Sequence, residues 1–302
     1  MNSIPSFSQY FNIGLIYESS RTKPYLSMKT LDYPQFILSD SLTEEQLAFF
    51  ELNGFIHFKN FISKDAVNLF LNEIKSVENT WINEGIDKVN GTPIKFGQDE
   101  NGKKMVQRFA FTSQYSDILR EFLQDPRLKA LIPFLAPYEG RIGEDEKDGL
   151  VVNNYVRTPN SVFSQMGWHT DSPRDLFLGQ KIMPMLNVGI HLDNCPKSNG
   201  GLRVLPGTHT QSVLKVLFRK KQFIDHTPDP REVGFDIEAG DLTVHDGRLW
   251  HRVQQSPNFG EASRRRVMYV PLITGKYKPK NENTKTPFYH YIGRKFGQKV
   301  TS

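Results

Sequence analysis

Histidine and aspartate stand one residue apart twice in this chain: His169 and Asp171 in "GWHTDSPRD", and His191 and Asp193 in "GIHLDN". On an extended strand, residues two apart point to the same face. Either pair therefore presents an imidazole and a carboxylate side by side. That is two thirds of a two-histidine, one-carboxylate facial triad, which leaves positions on Fe(II) open for a cosubstrate and O2. The third ligand must come from a distant strand, and "EAGDLTVHDGRLWHRVQQSPN" supplies His245 and His251. The surroundings separate the two pairs. His169 and Asp171 lie in a polar, glycine-containing segment at the edge of a strand. His191 and Asp193 end an alternating run, "MPMLNVGI", and lead into the turn "NCPKSNGG". Asp193 thus reads as a strand-end turn former that bonds its own backbone, and His191 as a core or edge histidine. Pattern alone places the first pair ahead of the second. Downstream, "SRRRVMYVPL" opens a strand with Arg264, Arg265 and Arg266. An arginine there can grip a carboxylate bidentately, and alternation of faces lets only one or two of the three point inward.

These residues need strands to carry them. From about residue 148 the chain runs as short β-rich stretches ("GLVVNNYVR", "PMLNVGIHLDN", "GGLRVLPGTH", "VGFDIEAGDLTVHDG", "RRVMYVPLIT") between clusters of Gly, Pro, Asn and Asp. Such spacing predicts an antiparallel sandwich or barrel. The preceding part is helical. Thr43 and Gln46 have capping-box spacing before "EEQLAFFELN", with Gly54 placed to end that helix. "FIHFKNF" predicts a short strand. Ser63 is the expected N-cap of a longer helix whose Ala66, Leu69, Phe70, Ile74, Val77 and Trp81 recur at helical spacing. "SDILREFLQDPRLKALIPFLAP" reads as two short helices broken near Pro126. The expected organisation is an N-terminal extension over 1–42, one domain over 43–275 and a basic C-terminal extension over 276–302.

The composition is that of a globular protein of 302 residues, 38% apolar and 24% charged. No apolar run is long enough to span a bilayer, and the N-terminus lacks the pattern of a signal peptide. One cysteine, Cys195, excludes an internal disulfide and a cysteine-rich zinc site, and fits a reducing, cytoplasmic setting. The net charge of +5 is concentrated partly in the tail, at Lys276, Lys278, Lys280, Lys285, Arg294, Lys295 and Lys299. This reads as a solvated extension. With no array of stacking aromatics, nucleic acid is not an expected partner.

In this order, "LTEEQLAFFELNGFIHFKNFIS", "WHTDS", "NGGLRVLPGTH", "AGDLTVHDGRLWH" and "PNFGEASRRRVMY" resemble the phytanoyl-CoA dioxygenase family of Fe(II)/2-oxoglutarate oxygenases, over about residues 43–273. The resemblance implies a mostly β fold with N-terminal helices, in which a double-stranded β-helix (a cupin-like jelly roll) forms the catalytic domain and the helices cover one sheet. It implies Fe(II) held by His169, Asp171 and His251, with "GIHLDN" as an intervening strand. Arg265 is the implied anchor of the cosubstrate 2-oxoglutarate, with Arg264 and Arg266 as register alternatives, and Asn154 and Asn187 are implied cosubstrate contacts. Val253 stands where the family often has a hydroxyl side chain, so one cosubstrate contact is missing or replaced. Gly201, Pro206, Gly207 and His209 read as turn and structural residues. The implied activity consumes O2 and 2-oxoglutarate, releases succinate and CO2, and hydroxylates an unactivated C–H of a small-molecule, natural-product or acyl substrate. Asp171 favours hydroxylation over halogenation, since halogenating relatives carry a small residue there; desaturation, ring formation and epimerisation share the same starting chemistry. The competing reading is a metal-free jelly-roll binding protein without catalysis. A zinc hydrolase is a second, but it has no need of the carboxylate-binding arginine.

Overall fold

The computed structural model describes residues 33–287, apart from 160, 162, 163, 172 and 178–180. Residues 1–32 of the expected N-terminal extension and 288–302 of the C-terminal one lie outside the described residues. The described chain from Pro34 onward belongs to one unit.

The capping box forms as the spacing requires. Thr43 Oγ1 accepts from the Gln46 amide (3.2 Å), and Gln46 Oε1 accepts from the Thr43 amide (3.0 Å). This starts α1 (Glu44–Asn53), which Gly54 ends at φ 77°. Strand β1 (Phe55–Phe58) follows, with all four side chains buried, and Phe36 bonds to its edge. Ser63 caps α2 (Lys64–Glu84). Its inner face is Val67, Phe70, Ile74, Val77, Glu78 and Trp81, while Leu69 is exposed. The stretch after α2 forms two hairpins, β2 (Lys88–Val89) with β3 (Thr92–Pro93) and β4 (Lys95–Gln98) with β5 (Lys104–Phe109). Short helices α3 (Asp117–Phe122) and α4 (Pro126–Lys129) come next, with Pro126 at the start of α4, where its missing N–H costs nothing.

The remaining chain builds two facing sheets. It runs through β6 (Arg141–Ile142), β7 (Val151–Arg157), β8 (Met166–His169), α5 (Pro173–Phe177), β9 (Met185–His191), β10 (Gly201–Val204), α6 (Val213–Phe218), β11 (Val233–Gly234), β12 (Leu242–Asp246), β13 (His251–Gln254) and β14 (Gly260–Ile273). The larger sheet has the order β1-β12-β9-β14-β7-β5-β4, with β6 beside β14; the smaller is β11-β10-β13-β8, and every strand pair within them is antiparallel. This is the jelly-roll fold, mostly β with helices before it. Among the described residues no helix is long and apolar enough to cross a membrane.

Parity along the larger sheet decides which side chains reach the site. Leu186, Val188 and Ile190 of β9, Leu242 and Val244 of β12, and Met268, Val270 and Leu272 of β14 join the apolar core with the helices. Their alternates therefore turn to the smaller sheet: Asn187, Gly189 and His191; Thr243 and His245; Arg265, Val267 and Tyr269. The two sheets thus enclose a layer of polar side chains, while the helix face carries the hydrophobic core.

Candidate metal centre

His169 ends β8 and His251 begins β13, and the two are direct partners across the ladder. Strand β8 carries one extra residue between its pairings with β13, a bulge of the kind that re-aims side chains. The imidazole centroids lie 4.1 Å apart. His169 Nδ1 is 2.8 Å from the Gly167 carbonyl, and His251 Nδ1 is 2.9 Å from the Leu249 carbonyl. A carbonyl oxygen only accepts, so each Nδ1 carries the proton and each Nε2 presents a lone pair. That is how ligand histidines are held by their outer hydrogen bonds. Burial, and next the neighbouring His251, push the His169 imidazole down to a pKa of about 3, against the pull of Asp171 and the Gly167 carbonyl. His169 therefore stays neutral and able to donate its lone pair.

Asp171 follows β8, its amide bonded to the Gly247 carbonyl (2.8 Å). Its Oδ2 lies 3.8 Å from His251 Nε2. The potential ligand atoms of His169, Asp171 and His251 all lie within 4.8 Å of one another. Two aimed imidazole nitrogens and a partly exposed carboxylate fit the donor set of an iron site.

Asn187, expected as a cosubstrate contact, is placed against the carboxylate. Its Nδ2 donates to Asp171 Oδ2 (2.6 Å) and faces His245 Nε2 (3.1 Å). His245, the other histidine of the segment that supplies His251, stays outside the triad and packs its ring 4.4 Å from His251. Burial, and then His251, lower its pKa well below the ordinary value. One amide thus joins the Asp171 carboxylate to the buried His245 behind it.

The second His-x-Asp pair is not brought to the triad; both of its residues line the cavity that Arg265 enters. His191 is buried with its Nε2 2.9 Å from Thr243 Oγ1, as a core histidine should be. Asp193 differs from the expected turn former: its carboxylate takes two bonds from the Arg266 guanidinium (2.9 and 2.6 Å) and one from the Arg266 amide (2.7 Å). The guanidinium engages both carboxylate oxygens in a bidentate pair, which the single backbone bond of a turn would not.

Parity also separates the three arginines. Arg264 and Arg266 lie on the helix side of β14, held by Glu261 and Asp193 respectively. Arg265 turns inward and is 4% exposed. Its guanidinium donates to the carbonyls of Gln254 (2.9 Å), Asn199 (3.2 Å) and Ser164 (3.2 Å), while its Nε has no partner. No carboxylate among the described residues pairs with it. An unneutralised buried guanidinium costs several kcal/mol of desolvation, and an incoming carboxylate would offset that cost. Tyr155, Val253, Leu202 and Tyr269 share a cavity with Arg265. Burial, and then the neighbouring Tyr155, raise the pKa of Tyr269. Gly189, directly across from Tyr269, leaves room for it: a Cβ there would lie 3.0 Å from the ring. Asn154 is not part of this group. Its alternates, Asn153 and Tyr155, face the other way, and its side chain accepts from Arg264 (3.0 Å) on the helix face.

The "LPGTH" segment is structural, as the sequence suggests. His209 Nε2 meets the Glu51 carbonyl at 3.1 Å, and its ring occupies the space where Gly54 lacks a side chain. Of the residues in "MVQRFAF", Arg108 is committed to Asp148 (2.8 Å), and Gln107 is buried with its Nε2 unpartnered.

A jelly roll with two histidines and a carboxylate converging between its sheets, and an inward arginine beyond them, defines a metal-binding oxygenase architecture. The phytanoyl-CoA dioxygenase (PhyH) family profile matches residues 50–266, and the chain belongs to that family. Among solved structures it is similar to the non-heme alpha ketoglutarate dependent carbocyclase SnoK from nogalamycin biosynthesis, at 18% identity and TM-score 0.59, covering 86% of this chain and 93% of that one. The epimerase SnoN from the same biosynthesis is similar at 16% identity and TM-score 0.56, covering 80% and 86%. HygX from Streptomyces hygroscopicus, solved with nickel and 2-oxoglutarate bound, is similar at 16% identity and TM-score 0.54, covering 82% and 90%. Likeness at these identities is one of fold. Among curated proteins none matches the chain.

Proposed function

We propose that this chain is a non-haem Fe(II)/2-oxoglutarate-dependent dioxygenase that hydroxylates an unactivated C–H of a small molecule. The observation that carries the reading is the pairing of two features: a triad whose imidazole Nε2 lone pairs are fixed by their own backbone, and a buried arginine with no carboxylate partner. His169, Asp171 and His251 would hold the iron. When bound, it would supply O2 activation coupled to decarboxylation of 2-oxoglutarate to succinate and CO2. The protein supplies orientation and exclusion of water. Asn187 keeps the Asp171 carboxylate turned to the metal through its 2.6 Å bond. Arg265 takes the far carboxylate of 2-oxoglutarate, and the apolar Tyr155 and Val253 beside it keep that ion pair dry, where it is strongest. An aspartate at position 171 occupies the coordination site that a halide would need, which favours oxygen insertion. The acyl-CoA, natural-product and other small-molecule classes accepted within the family remain the field for the substrate.

Anaerobic titration with Fe(II) and 2-oxoglutarate tests the cofactor reading: a metal-to-ligand band in the visible is expected, lost in His169→Ala and retained in His191→Ala. No band in the wild type would favour a metal-free binding protein. A succinate-release screen with mass spectrometry then reads the outcome. Gain of an oxygen atom marks hydroxylation, loss of two hydrogens marks ring formation or desaturation, and unchanged mass marks epimerisation.

A further inference from the structure

Between "LPGTH" and β11 the chain carries "QSVLKVLFRKKQFI", residues 211–224, with four basic residues and no acidic one. Within it, Val213, Leu214, Phe218, Phe223 and Ile224 are all large apolar residues left exposed. Leu214 and Phe218 stand four apart on α6, hence on one face, at 71% and 75% exposure. A cluster of this kind marks an interaction surface.

The segment is firmly held from within. Val216 is buried, and its carbonyl accepts from Gln222 Nε2 (3.0 Å) and Thr170 Oγ1 (3.4 Å). Trp250 Nε1 donates to the Lys215 carbonyl (3.1 Å), and Gln222 Oε1 accepts from the Thr170 amide (3.0 Å). The Phe223 amide donates to the Trp168 carbonyl and the Trp168 amide to the Asp225 carbonyl, both at 2.7 Å. Val216, Gln222 and backbone bonds thus anchor the segment inward, while five of its large apolar side chains stay exposed. Phe223 adopts φ 64°, a backbone region costly for a bulky residue. Its ring stacks on His169 at 4.7 Å and 25° while half of it remains exposed. The face therefore borders the metal centre directly.

We propose that this face docks onto an anionic lipid bilayer, with Leu214 and Phe218 in the headgroup layer and Lys215 and Lys221 against lipid phosphates, turning the His169 side of the metal centre toward the membrane. Apolar side chains flanked by lysines are the composition of an interfacial segment. The apolar tip projects outward, which suits a fluid apolar layer. A second copy fits poorly, because a twofold contact through this face would set lysines against lysines. Lys220 is held by Asp229 (3.1 Å) and over the Trp168 ring (4.9 Å), so Lys215 and Lys221 are the exposed cations that the docking uses.

The test is co-sedimentation of the full chain with phosphatidylcholine vesicles, with and without phosphatidylglycerol, across a salt series. It does not depend on the proposed activity. Binding is expected to vesicles containing phosphatidylglycerol, weakening as salt rises, and weak or absent on phosphatidylcholine alone. Leu214→Glu with Phe218→Glu should reduce it about tenfold or more, as should Lys215→Glu with Lys221→Glu, whereas Leu69→Glu on α2 should not. Circular dichroism and thermal melts confirm that each variant is folded. Absence of wild-type binding overturns the proposal. So does undiminished binding by the Leu214/Phe218 variant, which would move the contact elsewhere. Sedimentation velocity covers the remaining occupant: a wild-type dimer abolished by the same variant would assign the face to self-association.

Discussion

Arg265 is the residue whose setting says most about the cosubstrate. It is buried, it donates to three neutral carbonyls, and its Nε is unsatisfied. If it binds the far carboxylate of 2-oxoglutarate, Arg265→Leu removes one half of a desolvated ion pair, a loss of at least about 2 kcal/mol. The 2-oxoglutarate concentration for half-maximal succinate release should rise by roughly 30-fold or more. Arg264→Leu and Arg266→Leu, on the outer face, should change it only slightly; an equal effect from either would relocate the anchor. Asn187 makes a second, distinguishable case. Asn187→Ala leaves all three ligands in place and removes the bond that orients Asp171. Such outer contacts are worth about 10–100-fold in metal affinity, which direct Fe(II) titration would measure; unchanged affinity would return Asn187 to a cosubstrate role. The three residues that converge could be singled out in the sequence because "WHTDS" carries its own context and the family resemblance chose His251 over His245 in "GDLTVHDGRLWH". Phe223 could not: it is an ordinary loop residue, and only the fold sets its ring against His169. His245 was visible as a possible ligand, but its place behind His251 comes from the packing of the strands.

At the scale of elements, Asp241 fixes the turn before β12 and, through it, the strand that carries Thr243 and His245. Its carboxylate accepts from His57 Nε2 (2.9 Å), Lys59 Nζ (3.0 Å), the Asn60 amide (3.1 Å) and the Glu238 amide (2.9 Å). Burial would raise its pKa, but these bonds, led by His57, outweigh it and hold the group down at about 2, from 3.8. An acid depressed in the folded state stabilises the fold above its unfolded pKa, and that contribution fades as pH falls from about 4 to about 2. The shift corresponds to about 2 kcal/mol. Asp241→Asn should therefore lower the unfolding free energy clearly at pH 7, and the gap to wild type should narrow toward pH 2 in denaturant melts. A gap independent of pH would mean that the charge does not matter. The helices around this turn were readable because their signals are local: a capping box at Thr43 and Gln46, an N-cap at Ser63. The hairpins of β2 to β5 were missed because "DKVNGTPIKFGQDENGKK" lacks a clean apolar alternation. β4 lies at the edge of the larger sheet, where half of the backbone and most side chains face solvent. Leu69 was assigned inward for a related reason: helical spacing admits two adjacent stripes, and α2 buries the one containing Val67 and Glu78.

Across the whole molecule, the first part of the basic C-terminal stretch behaves as a strap across the sandwich. Tyr277 Oη donates to Asp175 Oδ1 (2.9 Å), and Asp175 also pairs with Lys147 (3.3 Å), both of their side chains 1% exposed. The Lys147 ammonium lies 4.5 Å over the Tyr277 ring and 2.9 Å from Met185 Sδ. Asp175 belongs to α5, which begins two residues after Asp171, so the strap is tied to the segment that follows the triad's aspartate. Further on, Lys280 Nζ reaches Asp148 (3.3 Å) and Thr92 (3.2 Å), and the Lys280 amide donates to the Asp145 carbonyl (2.7 Å). The backbone carbonyls of Thr284 and Lys285 approach Gly91 so closely that a Cβ there would collide. The charge of the tail is therefore partly spent on internal pairing, which composition alone could not reveal. Ending the chain after Gly275 removes two bonds to buried or half-buried carboxylates, each worth about 1.5–3 kcal/mol, and opens the Lys147–Asp175 pair to water on one side. For a domain of this size, that loss should lower the thermal midpoint by on the order of 10 °C. Tyr277→Phe and Lys280→Ala should each account for part of it. Calorimetry on the three variants checks the assignment, and a truncated chain melting with the wild type would mean that the strap merely rests on the surface.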